Sequence, residues 1–382
     1  MNKNNYLRLL FLTILVCPIL TFAQNENFKK LLLENSFVIE KKSDGKFKGE
    51  GWKTLEKKIK ETDYFMIGES HFNAEVPEFI DAVQKRGKYK TFVMEVSPML
   101  ADVLQEKIEN SDENKLNVWL KENGNNISFY SHKEDFQLLK NLIKNKVDFL
   151  GLDQISALSD ITLYRYHKEN ASDEKLQDFY ATVIKNWEQG FDKMIKGEQA
   201  MPYLISETFV KDYDYMKKEK MENSFFEKLD RSNNIYRGGA KSHEMRVSDL
   251  KLNLKNNYKE HINRKKVLFR FGANHCNKNE DIGQQMFEYA KENKKKSFHL
   301  AVICITGETG SPLKVMPNTT LQKIKQMEYF YDVFDSKYTY VDLSKITNTP
   351  EFSALENPRF KKFIEGYDAI VIIQDATPAT KF

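Results

Sequence analysis

Four short stretches place a carboxylate or an imidazole directly after an apolar run. Gly68-Glu69-Ser70-His71 follows Tyr64-Phe65-Met66-Ile67, and Glu95 follows Thr91-Phe92-Val93-Met94. Gly151-Leu152-Asp153 follows Val147-Asp148-Phe149-Leu150, and Gly272-Ala273-Asn274-His275 follows Val267-Leu268-Phe269-Arg270-Phe271. A histidine near its ordinary pKa takes a proton from water or gives one to a leaving group. A carboxylate beside it can orient the ring, stabilise its charge or act as the base. Glu69, His71, Glu95 and His275 therefore read as catalytic candidates, with Asp153 and Asn274 as binding candidates. Glu75, on the first turn of the next helix, is a further binding candidate, although such a position often serves support or surface. Arg246, in Ser242-His243-Glu244-Met245-Arg246, offers a planar fork for a carboxylate or a developing oxyanion. Each has a plainer alternative: a helix-capping histidine, a carboxylate satisfying helix N–H groups, a turn aspartate, a surface ion pair.

Groups so distant in sequence need a common scaffold. The four apolar runs, with Leu300-Ala301-Val302-Ile303-Cys304-Ile305 and Ala369-Ile370-Val371-Ile372-Ile373, are short and continuous rather than alternating. Strands buried on both faces read this way. Amphipathic helical stretches lie between them, at 75–86, 99–110, 132–144 and 281–293. The alternation predicts an α/β fold with a largely parallel central sheet flanked by helices. In such a sheet ligands bind outside the carboxyl ends of the strands, where all four stretches fall. Residues 156–263 break the rhythm. They read as a long helical insertion over that edge, within a single α/β domain spanning 24–382.

Composition removes other classes. The chain has 382 residues, 41% hydrophobic, with a formal net charge of +4. That balance excludes a disordered polyelectrolyte and lacks the clustered base of a nucleic-acid binder. A small-molecule substrate is the expected partner. Three cysteines exclude a disulfide scaffold and a cysteine-based zinc framework. No HExxH is present, and Gly307-Glu308-Thr309-Gly310 lacks the lysine of a P-loop. Cys276 adjoins His275, but its side chain need not point the same way, so it is read as a bystander. Whether Cys276 and Cys304 form a disulfide stays open. His132, His167, His243, His261 and His299 lack comparable context and are read as surface or packing residues.

The amino terminus reads as an address. Lys3 and Arg8 precede an apolar run from Leu9 to Leu20, and Thr21-Phe22-Ala23 closes it. This is the pattern of a secretory leader, with cleavage expected after Ala23. The run is shorter than a membrane span. Lipidation at Cys17 is disfavoured, because Ile14-Leu15-Val16 lacks a small residue before it.

Taken together, the motifs around Glu69, His71, Glu95, Asp153 and His275 resemble those of the erythromycin esterase-like superfamily. That superfamily also embraces the ChaN haem-binding lipoproteins and the TIKI metalloproteases. The resemblance runs from about Asp63 to Pro378, and Tyr367 to Ile373 is similar to the last strand of esterase-like members. Of their Arg-led helix motif, Arg246 and Asn253 match, while Leu250 replaces a methionine. The resemblance implies hydrolysis of an ester or lactone by water activated at His71, with Glu69 and Glu95 in support and His275 opposite. In the TIKI-like branch, Glu69, His71, Glu95 and His275 would hold a divalent metal. The Glu69-Ser70-His71 spacing is closer to the ChaN-like pattern, which implies haem binding without turnover.

Overall fold

The computed structural model describes residues 26–198, 201–221, 223–310, 316–317, 325–331, 334 and 336–382. The expected leader, with Lys3, Arg8, Cys17 and Ala23, lies outside the described residues.

The strands are β1 (Ser36–Lys41), β2 (Phe47–Lys48), β3 (Tyr64–Glu69), β4 (Thr91–Met94), β5 (Asp148–Gly151), β6 (Val267–Gly272) and β7 (Ser297–Cys304). A two-stranded ribbon, β8 (Glu308–Thr309) and β9 (Met316–Pro317), precedes β10 (Tyr338–Asp342) and β11 (Ala369–Ile373). Among the described residues nine strands form one sheet, ordered β2-β1-β10-β11-β7-β3-β6-β4-β5. From β11 to β5 every neighbouring pair is parallel, whereas β10, β1 and β2 add antiparallel pairs at the other edge. The six parallel strands are the six apolar runs read from the sequence. Their burial explains the composition: β3, β4 and β11 are buried along their whole length, which removes the alternation of a half-exposed strand.

Helices cover both faces, and one apolar layer packs on each side of the sheet. Glu75–Gly87 follows β3, Pro98–Asn110 follows β4, Lys133–Lys144 precedes β5 and Asp281–Glu292 follows β6. Ser97 starts the second of these by accepting from Leu100 N at 3.2 Å, with Pro98 in the first turn. Between β5 and β6 the described chain is helical, from Asp160–Asn170 to Ser242–Asn257 and a closing π-turn, Tyr258–Ile262. Cys276 and Cys304 are buried free thiols, so no disulfide joins them. Among the described residues no helix is long and apolar enough to cross a membrane.

Candidate active site

Strand order brings the four loaded strand ends together. Glu69, the last residue of β3, is in register with Gly272, the last residue of β6. On the other side of β6, Met94 of β4 is in register with Arg270, and on its far side with Gly151 of β5. Glu95, Asp153 and His275 thus emerge on neighbouring strands beside Glu69. The crowding shows at Gly272: a Cβ there would lie 2.9 Å from His71 Nε2 and force that ring to shift.

Two imidazoles converge on one carboxylate. His71 Nδ1 lies 3.1 Å from Glu69 Oε1 and its Nε2 lies 3.5 Å from Glu95 Oε2. His275 Nδ1 lies 2.5 Å from Asp281 Oδ2 and its Nε2 lies 3.5 Å from Glu95 Oε1. Each ring is therefore held at Nδ1 by a carboxylate and presents Nε2 to Glu95. Glu95 in turn accepts from the Gly272 backbone N–H at 2.6 Å and from Arg246 Nη2 at 2.8 Å. Arg246 also donates to both Asp153 oxygens, through Nε at 3.0 Å and Nη2 at 2.5 Å. This is the forked pairing an arginine makes and a lysine cannot.

Charge balance sets the protonation of these groups. Burial alone would push the Glu69 carboxyl up, but Arg270 and His71 hold it below the ordinary carboxylate value. Burial likewise opposes ionisation of Glu95, and His71, His275, Arg246 and the Gly272 N–H overcome it, leaving it lowered. For His71, burial favours the neutral ring, but Glu69 and Glu95 win and its pKa is raised. His275 is raised for the same reason by Asp281 and Glu95, against burial.

The two histidines differ in access. The His71 side chain is 25% exposed and that of His275 only 8%. His71 stacks on Phe129, with ring centroids 4.2 Å apart. Glu95, Asp153 and Arg246 line a cavity of about 520 Å³ with Phe129, Gln154, Ser242 and His243. Three positions around the site, Phe72, Ser128 and Asp281, hold left-handed backbone without being glycine. Such conformations cost energy and persist where surrounding structure enforces them.

Arg246 is where the sequence reading put it, facing the sheet edge from the helical segment. Two expected residues are not drawn in. Glu75 turns away: it accepts from Thr377 N at 3.0 Å, Thr377 Oγ1 at 3.0 Å and Lys337 Nζ at 2.8 Å, pinning the chain after β11. It borders a separate cavity of about 860 Å³ beside β1 that includes none of the site's groups. Asn274 is exposed on the loop before His275. Asn253, matched to the Arg-led motif, donates to the Leu152 carbonyl at 2.7 Å and so ties the helix to the loop that carries Asp153.

Sequence reasoning missed Arg270, Asp135, Asp281 and Phe129. Arg270, 4% exposed, donates to Glu69 at 2.9 Å and to Asp135 at 2.5 Å. An arginine inside a buried strand was itself the signal, since a charge taken out of water needs carboxylate partners. Asp281 carried a weaker one, six residues beyond His275 at a helix start.

As these side chains are placed, they form no metal site. Among the described residues no group of three or more His, Cys, Asp or Glu side chains is placed to hold a metal ion. Arg246 lies against Glu95, where its charge would repel a cation. Both imidazoles turn Nε2 toward Glu95.

No family model matches the chain, and no curated protein matches it. Its fold, a helix-flanked and mostly parallel sheet, is shared with solved structures. A Bacillus cereus protein aligns over 94% of this chain and 99% of its own, with a TM-score of 0.55 at 14% identity. Erythromycin esterase EreC, as a histidine-to-asparagine mutant in its open conformation, aligns over 86% of this chain and 94% of its own, with a TM-score of 0.52 at 14% identity. A succinoglycan biosynthesis protein aligns over 93% and 98%, with a TM-score of 0.51 at 14% identity. The chain has the fold of erythromycin esterase.

Proposed function

We propose that the protein is an exported hydrolase that uses water to cleave an ester or lactone-type bond in a small molecule. The observation that carries this reading is the difference between the two imidazoles. His71 is oriented by Glu69 and reachable from solvent, whereas His275 is locked by Asp281 and buried. His71 is thus the ring available to substrate.

With its Nδ1–H donated to Glu69, neutral His71 carries its lone pair on Nε2, beside Glu95. A water held by Nε2 and Glu95 loses a proton to His71 as its oxygen attacks the substrate carbonyl. Arg246 stabilises the tetrahedral oxyanion, and Asp153 keeps its guanidinium in place. The carbon–oxygen bond to the leaving group then breaks, and His71 returns the proton to the departing alkoxide. The products are an acid and an alcohol. His275, buried between Asp281 and Glu95, keeps Glu95 in position.

The experiment is separate replacement of His71 and His275 by Ala, with assay against a panel of esters and lactones. His71→Ala is expected to abolish turnover while leaving the circular dichroism spectrum unchanged. His275→Ala is expected to lower it about 10²-fold. Full activity in both variants rejects the assignment. Export is tested by amino-terminal sequencing of protein recovered from outside the cytoplasm, which should begin at Gln24.

A further inference from the structure

A further cavity, of about 560 Å³, is lined by Phe129, the ring on which His71 stacks. Phe129 separates the two spaces and lines both, as do Ser128 and Ser156. The lining of this further cavity joins apolar Leu158, Phe191, Met194 and Ile195 to polar Asn126 and the exposed Lys381. The rings of Phe72 and Phe129, 5.7 Å apart, continue that surface up to His71. His132, reached by Phe72 at a centroid distance of 5.3 Å, also lines the lobe and is only 1% exposed. Burial lowers its pKa, so it brings no charge there at neutral pH. The first cavity is more polar in character, carrying Arg246, Asp153, Gln154, Ser242 and His243.

We propose that the lobe behind Phe129 is the acyl pocket, so that the substrate is an amphiphilic ester joining an uncharged apolar acyl group to a polar alcohol. This rests on the hydrolase reading. The direction follows from charge. Negative charge develops on the leaving oxygen as its bond to carbon breaks, and such charge is stabilised beside Arg246 and the polar wall. The lobe, whose lining surface is mainly aromatic and aliphatic, offers it less. The acyl chain has no such requirement and gains by leaving water.

The test uses the full chain and two isomeric esters, glycerol mono-octanoate and octyl glycerate, with acid release followed by pH-stat. The glycerol ester is expected to turn over at least tenfold faster. Along the glycerol monoesters from acetate to octanoate, kcat/KM should rise about fourfold for each methylene that enters the lobe. Met194→Asp, which places a charge among the apolar lining residues, should flatten that series. Binding is read apart from chemistry by calorimetry with octanamide, expected to bind wild-type protein with a negative heat-capacity change and to be lost in Met194→Asp. Turnover with no chain-length dependence, or with octyl glycerate preferred, overturns the acyl pocket and leaves the hydrolase standing. Octanamide binding that Met194→Asp removes, with no ester turned over, overturns the hydrolase and leaves an apolar ligand pocket.

Discussion

Glu69 accepts from His71 Nδ1 at 3.1 Å through one oxygen and from Arg270 at 2.9 Å through the other. The carboxylate that orients the reacting ring is therefore itself clamped by a buried cation. The His71 pKa is raised above its ordinary 6.5, with Glu69 and Glu95 prevailing over burial. General-base action needs the neutral ring, which appears as pH rises through that raised value. On any ester that is turned over, kcat/KM should climb with pH and level off above 6.5. Glu69→Gln removes a negative charge, lowers the His71 pKa and should move this limb to lower pH. A limb that stays where it was in Glu69→Gln would exclude His71 as the titrating base.

Arg246 joins Asp153 to Glu95 through one guanidinium. Arg246→Ala should lower kcat by about 10²–10³, the usual cost of a lost oxyanion donor, with a smaller change in KM. Arg246→Lys should recover little, because a point charge cannot bridge both carboxylates in the same plane. Steady-state kinetics on the two variants check this. A lysine variant with near-native kcat would exclude forked geometry as the requirement.

Arg270 holds Glu69 and Asp135 in the dry interior, with its guanidinium carbon 5.5 Å from the centre of the Tyr130 ring. Burial raises the Asp135 pKa to about 6 even against the pull of Arg270. Arg270→Met leaves two buried carboxylates without their cation and should cost about 3–5 kcal/mol in urea unfolding. The triple change Arg270→Met, Glu69→Gln, Asp135→Asn should regain most of that stability yet remain impaired in catalysis. If the single change costs nothing, the cluster contributes no stability.

Asp160 is fully buried at the start of helix Asp160–Asn170, where Oδ1 accepts from Trp187 Nε1 at 2.8 Å. Burial raises its pKa from 3.8 to about 8. Below pH 3.8 both folded and unfolded chains hold the proton and the group costs nothing. Between 3.8 and 8 only the folded chain binds it, so stability falls as pH rises. Asp160→Asn keeps the acceptor for Trp187 and cannot ionise. It should raise the melting temperature at pH 8 and leave it unchanged near pH 4. Equal effects at both values would mean that the carboxyl does not titrate in this window.

The parallel half of the sheet was legible because burial on both faces leaves an unbroken apolar run. β10, Tyr338–Asp342, is also fully buried, but its Tyr-Thr-Tyr start reads as polar, and antiparallel β1 is only partly buried. Neither carries the signature. At the site, residues at strand ends were legible from position alone. Arg270 was absorbed into an apolar run, and Phe129 lies in a loop with no periodicity. Glu75 shows the limit of proximity in sequence: four residues beyond His71, its carboxylate is aimed at Thr377 and Lys337 instead of the cavity.

β6 inserts between β3 and β4, although both precede it by more than a hundred residues of helical chain. Until that strand arrives, β3 and β4 have no common neighbour in the sheet, and neither the Gly272 amide nor His275 is present. During synthesis β3 therefore emerges with neither of its sheet neighbours, β6 and β7, present, and β4 with β5 alone. Such a nascent chain is exposed to aggregation, and the reaction centre is assembled in a single late docking event. Truncations that stop before β6 should yield insoluble material and not a weakened enzyme.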